Sequence, residues 1–243
     1  MKQLKDIIVE KLIINKNIKN QYKYQPIYIK ELVNCIKKEL EIQGKGTKEN
    51  PLDLNCIDIR NMKKLNLVFD SIMGAGQFIP RDAYIDVSRW DLSNITETCY
   101  TFKNVKFHFD VSNWDMSNVE SMNGMFYDCI VECNLSKWDV SNIRLMNSVF
   151  YGANFNGDIS NWDVKNVESM SGLFSGEKCT FNQDISGWDV SNVNNMDYMF
   201  MGNPVFNQNL DNWKVGKTTS MDATFNSSLL ENNPPKWYHE NYK

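Results

Sequence analysis

The stretch Phe181-Asn182-Gln183-Asp184-Ile185-Ser186-Gly187-Trp188-Asp189-Val190-Ser191-Asn192-Val193, followed by Met196, Met199 and Phe200, decides the fold. Much of it recurs along the chain. Trp90, Trp114, Trp138, Trp162, Trp188, Trp213 and Trp237 follow one another every 24 to 26 residues. Numbering each repeat from its tryptophan, position +12 is Phe102, Phe126, Phe150, Phe174, Phe200 or Phe225. Position +8 is Met122, Met146, Met170, Met196 or Met221, with Thr98 in the first copy. Asp91, Asp115, Asp139, Asp163 and Asp189 hold +1, and Asn94, Asn118, Asn142, Asn166 and Asn192 hold +4. Several positions keeping one period together is the mark of stacked repeats. A degenerate copy precedes them, with Ile57 in the tryptophan place, Phe69 at +12 and an insertion near Gly74-Ala75-Gly76.

Two periodicities alternate inside a unit. Ile159, Trp162 and Val164 predict a short strand with Trp and Val on one face. Val167, Met170, Leu173 and Phe174 have helical spacing over a length that allows one or two turns. The expected unit is therefore strand, turn, short helix or 3₁₀ turn, and return loop. One such unit buries only a few large apolar side chains, at about 1.5–3 kcal/mol each. Ordering its backbone costs about 1–2 kcal/mol per residue. A lone unit fails, so neighbours must stack. The fold class expected is an α/β solenoid of about six to seven coils over residues 51–230. A helical cap or module over 1–50 precedes it, and a C-terminal cap or tail over 231–243 follows. The cap is read from Leu4, Ile7, Ile8 and Leu12 on one helix face, and Ile29, Leu32, Val33, Ile36 and Leu40 on a second that ends near Gly44.

The quoted stretch resembles the BspA-like, leucine-rich-repeat-related family of surface proteins and lipoproteins from mycoplasmas, Listeria, gut bacteria and some phages. The resemblance covers about residues 53–226. It implies a right-handed leucine-rich-repeat-like coil used for adhesion or other protein contacts, with no catalytic residues and no cofactor.

Composition narrows the function further. The net charge of −4 and a pI near 5.3 argue against nucleic acid as partner. No stretch reaches the length of a membrane span, so no membrane insertion is expected. Met1-Lys2-Gln3-Leu4-Lys5-Asp6 leads into a charged amphipathic segment without an apolar export core. That predicts a cytoplasmic chain with reduced cysteines, with cell surface or virion as the alternative. Cys129, Cys133 and Cys179 lack the spacing of a zinc site, so no metal is expected. The +1 aspartates lack the calcium-binding glycine pattern and are expected to accept N–H groups of their own turns. The +4 asparagines are expected to form a ladder that bonds to the next coil. His108 stands where sister repeats have Asn156, Asn182 and Asn207, and reads as a loop substitution.

Function should then lie where the repeat is not constant. Arg89 and Lys137 precede their tryptophans, Lys103, Tyr127, Tyr151 and Met201 follow the +12 phenylalanine, and Tyr100 and Tyr198 share a further variable position. Tyr, Arg and Met are favoured at interfaces. These residues are the candidate contacts of a non-enzymatic protein-binding scaffold, with Trp90, Trp114, Trp138, Trp162, Trp188 and Trp213 as structural anchors. The alternative is a self-associating structural component.

Overall fold

Each tryptophan is bound to the repeat before it. In the computed structural model, which describes residues 22–70, 73–217 and 219–241, the indole N–H of Trp162 donates to the carbonyl of Leu135 at 3.0 Å. Trp90, Trp114, Trp138, Trp188, Trp213 and Trp237 repeat that bond on Leu54, Val87, Val111, Ile159, Ile185 and Leu210. The same carbonyls take the main-chain N–H of the residue at their own tryptophan place, as Leu135 does from Trp138 at 3.1 Å. Each acceptor thus fills both lone pairs, one within its repeat and one across the stack.

The aromatic side chains continue this order inward. Phe69, Phe102, Phe126, Phe150, Phe174, Phe200 and Phe225 form one stacked column with ring centroids 5.1–5.8 Å apart. All seven are buried, together with the methionines at +8. Successive repeats lie parallel, bridged at position +7 from Lys64 through Glu97, Ser121, Leu145, Ser169 and Asn195 to Ser220.

Inside the repeat the structure departs from the expected strand and helix. Ile159–Trp162, Val164–Val167 and Met170–Leu173 are separate turns closed by N–H to carbonyl bonds over three residues. Apolar residues three apart therefore point inward without a helix. Gly172, at φ +62°, breaks any helical run there, and Tyr100, Gly124, Ser148, Tyr198 and Ala223 hold the same left-handed conformation at +10. A second left-handed position lies at +14, at Asn104, Asp128, Gly152, Gly176, Gly202 and Ser227. The alternation turns every second N–H along the stack. Met170, Gly172, Phe174 and Gly176 donate to Asn195, Asp197, Met199 and Met201 of the following repeat at 2.8–2.9 Å. Among the described residues, strands are confined to the first repeats: β1 (Leu52–Asp53), β2 (Tyr84–Asp86) and β3 (His108–Asp110) form a parallel sheet in the order β1-β2-β3.

The two ends of this ladder differ. At the first repeat the insertion lies across the carbonyl edge, where Ala75 and Gly74 donate to Val68 and Asp70 at 2.7 and 3.0 Å. Gly74 is required because a Cβ there would overlap the carbonyl oxygens of Leu67 and Val68. Helix α1 (Ile29–Gln43) packs on this insertion and on β1. Leu32 and Ile36 are buried, and Gly44, at φ +76°, ends the helix by donating to Leu40. Buried Glu39 receives Lys23, Tyr24 and Gln43. Burial pushes its carboxyl upward, but these hydrogen bonds outweigh it and hold the group below the usual value. The helix face of Leu4, Ile7, Ile8 and Leu12 lies outside the described residues. At the far end Trp237, on α2 (Lys236–Asn241), stacks on Trp213 at 6.2 Å. The N–H groups of Met221, Ala223, Phe225 and Ser227 there have no acceptor among the described residues.

Candidate functional site

The repeat's polar columns are occupied by backbone. Asp115, Asp139 and Asp189 each accept the N–H of the serine two residues on, at 3.0–3.1 Å. A second series four residues before the tryptophan, including Asp110, Asp158 and Asp184, does the same at 2.8–2.9 Å. The hydroxyls of Ser141 and Ser191, and after them their N–H groups, hold Asp139 and Asp189 below the ordinary carboxylate range. Asn142, Asn166 and Asn192 donate their side-chain amides to Ser117, Ser141 and Lys165. The ladder thus reaches back to the preceding repeat, not on to the next. The acceptor is the +3 carbonyl of the preceding repeat, inside its turn from +2 to +5.

Of the candidate contacts, four converge. Tyr127 and Tyr151 are stacked, centroids 4.4 Å apart and rings within 10° of parallel. The ammonium of Lys103 lies 5.4 Å from the ring centre of Tyr100 and 5.6 Å from that of Tyr127, between the two rings. Tyr100 is exposed, and its ring covers Gly124, where a Cβ would strike it. Burial, followed by neighbouring Tyr151, pushes the Tyr127 hydroxyl up to about 12. Tyr100, Lys103, Tyr127 and Tyr151 therefore form one aromatic and cationic patch across three repeats.

The remaining candidates stand apart. Tyr198 and Met201 occupy the same two columns further on, past the repeat that carries Gly172 and Ser175, and the Tyr198 hydroxyl donates to Asp222 at 2.8 Å. Arg89 faces Asp53 at 3.7 Å, and Lys137 is exposed. No contact joins either residue to the patch, because the position before each tryptophan belongs to another column.

A groove of about 650 Å³ crosses four repeats between Asn118, Asn142, Asn166, Asn192 and the +6 residues Glu120, Arg144 and Glu168. Arg144 and Glu168 pair across it at 2.7 Å. Sequence reasoning missed this groove, although the alternation of Glu, Arg and Glu at +6 was there to be read. His108 needs a correction: it lies in strand β3, not in a loop. Its ring stacks on Tyr84, because the first repeats replace side-chain ladders with a real sheet at this position. The cysteines are free thiols, and burial pushes Cys133 and Cys179 up to about 11. Among the described residues no group of three or more His, Cys, Asp or Glu side chains is placed to hold a metal ion, and no helix is long and apolar enough to cross a membrane.

Comparison with known proteins gives no match among curated proteins and none among solved structures. One family model matches twice, over residues 63–154 and 129–237, and its two matches together take in all the tryptophan repeats. By that coverage the chain belongs to the family described as Mycoplasma protein of unknown function, DUF285.

Proposed function

We propose that the chain is a non-enzymatic scaffold that binds a protein partner through the patch of Tyr100, Lys103, Tyr127 and Tyr151. In this reading the repeats form a solenoid of the BspA-like, leucine-rich-repeat-related kind. One observation carries the proposal. The patch occupies columns where other repeats have Gly124, Ser148, Gly172 and Ser175, so the stack does not need aromatic groups there. Large aromatic side chains beside a cation, on a rigid surface, are typical binding anchors.

Self-association is less well supported. End-to-end growth needs a donor edge facing an acceptor edge. Here Gly74 and Ala75 cover the Asp70 and Val68 carbonyls of one edge, while two copies of the far edge would bring N–H groups against N–H groups.

The test is capture of partners with the full chain and with a variant carrying Tyr100→Ser, Tyr127→Ser and Tyr151→Ser. The variant should stay folded, because serine occurs naturally in both columns, and should lose the partner retained by the native chain. A partner held equally by both proteins would refute this face.

A further inference from the structure

Six residues before the tryptophan the repeat changes character along the stack. In the copies of Trp162, Trp188 and Trp213 this position is Asn156, Asn182 and Asn207. They form a ladder in which Asn156 accepts the N–H of Asn182, and Asn182 that of Asn207, at 2.8 and 3.0 Å. In the first three copies it is Tyr84, His108 and Glu132. Tyr84 and His108 stack with ring centres 4.1 Å apart, and His108 Nδ1 lies 2.9 Å from a Glu132 carboxylate oxygen. Stacking alone would be served by asparagine, as the later repeats demonstrate. The replacement opens a groove of about 530 Å³ on the face of β2 and β3.

The groove's chemistry is mixed in a particular way. Pro51 gives it apolar lining and the Tyr84–His108 pair adds aromatic surface, while the alternate residues of β2 and β3, Ile85 and Phe109, turn their side chains into the core. Asp86, Asp110 and Glu132 bring three carboxylates, against the ammonium of Lys48 in the lining and the Arg89 guanidinium that acts on Asp86 from outside it. One oxygen of Asp110 is taken by the Ser112 N–H and one of Glu132 by His108, leaving the second oxygen of each without a hydrogen bond or ion pair among the described residues. Surplus carboxylate beside aromatic and apolar walls selects a cation that is planar, weakly hydrated and forked. Guanidinium has these properties, whereas a lysine ammonium is compact and strongly hydrated. We propose that this groove holds the guanidinium group of an arginine side chain presented by a partner polypeptide. It is separate from the tyrosine patch and does not depend on it.

The chain has two histidines, His108 and His239, so His108 is a ready reporter. The experiment titrates the full chain, labelled with carbon-13 at histidine, with acetyl-arginine amide and follows the imidazole signals by NMR. His108 should shift saturably while His239 stays still, and acetyl-lysine amide should bind about tenfold more weakly. Two variants keep the reporter. Tyr84→Asn with Glu132→Asn restores the residue of the later repeats. Asp110→Asn removes charge at a position where Asn134 and Asn209 already make the same turn bond. Both should keep the native near-ultraviolet dichroism and weaken acetyl-arginine amide binding by about tenfold. An unmoved His108, equal response to the lysine probe, or undiminished binding by either folded variant would overturn the proposal. Tighter binding of free arginine, with its own carboxylate, than of the capped form would overturn the assignment to a polypeptide.

Discussion

A single indole N–H does two jobs at the residue scale: it satisfies itself in the core, and it ties one repeat to the one before. Trp162→Phe keeps the ring stack but removes the donor to Leu135, whose carbonyl retains the Trp138 N–H. The expected loss is about 1–2 kcal/mol, read as a lower urea midpoint with an unchanged slope. Gly124 poses a sharper question. It sits at φ +60° beneath the Tyr100 ring. Gly124→Ala should cost about 1–3 kcal/mol, from left-handed strain and from the displaced ring together. Adding Tyr100→Ala should return part of that loss in a double-mutant cycle. Strict additivity of the two substitutions would show that the ring does not rest on the glycine.

At the scale of the element, turns replace helices and strands. The apolar residues of the repeat were legible because Trp162, Met170 and Phe174 are buried whatever local structure carries them. The local structure was not legible, for a physical reason. Spacings of three and four residues are shared by a helix and by a chain of turns. What separates the two is the left-handed conformation at +10 and +14: Ser148, Tyr198 and Ala223 hide it at +10, and only at +14 do Gly152, Gly176 and Gly202 signal it. Of the candidate site, the tyrosine columns were visible as departures from the repeat, while the stacking of Tyr127 on Tyr151 and the placing of Lys103 between rings needed coordinates. The aspartate turns give a pH prediction. Hydrogen bonds from Ser160 and Ser186, backbone first, hold Asp158 and Asp184 below their ordinary pKa in the folded chain. Their contribution is therefore complete above about pH 5 and is lost as pH falls through the depressed folded values. Thermal melts should show a steady fall in Tm from pH 5 toward pH 2, even where the rest of the titration is screened by salt. The insertion at the first repeat makes a further prediction: Gly74→Ala should pull Gly74 and Ala75 from the carbonyl edge, seen as faster hydrogen exchange at those two amides.

The whole molecule is a series of nearest-neighbour interfaces, and its response to damage should depend on position. Trp162→Ala removes a buried ring flanked on both sides, by Trp138 at 6.3 Å and Trp188 at 6.4 Å. The cost of about 3–5 kcal/mol should weaken all repeats together, so that dichroism and hydrogen exchange report one transition. Trp237→Ala removes a ring with a tryptophan neighbour at Trp213 and should loosen the final repeat first. Protected flanks around a frayed centre in the first variant would mean that the interfaces are weaker than the repeats. The tryptophan row has one more consequence, and it is optical. Four neighbouring pairs, Trp90–Trp114, Trp138–Trp162, Trp162–Trp188 and Trp213–Trp237, lie 6.1–6.4 Å apart and within 18° of parallel, close enough to pass an excitation from one ring to the next. Light absorbed in one ring need not be emitted there, and because the rings are near parallel the transfer should leave the fluorescence largely polarised while quenching at one ring dims its neighbour. The spacing that builds the repeat thereby makes the stacked indoles an antenna whose shared quenching reports, without any label, whether neighbouring repeats are still in place.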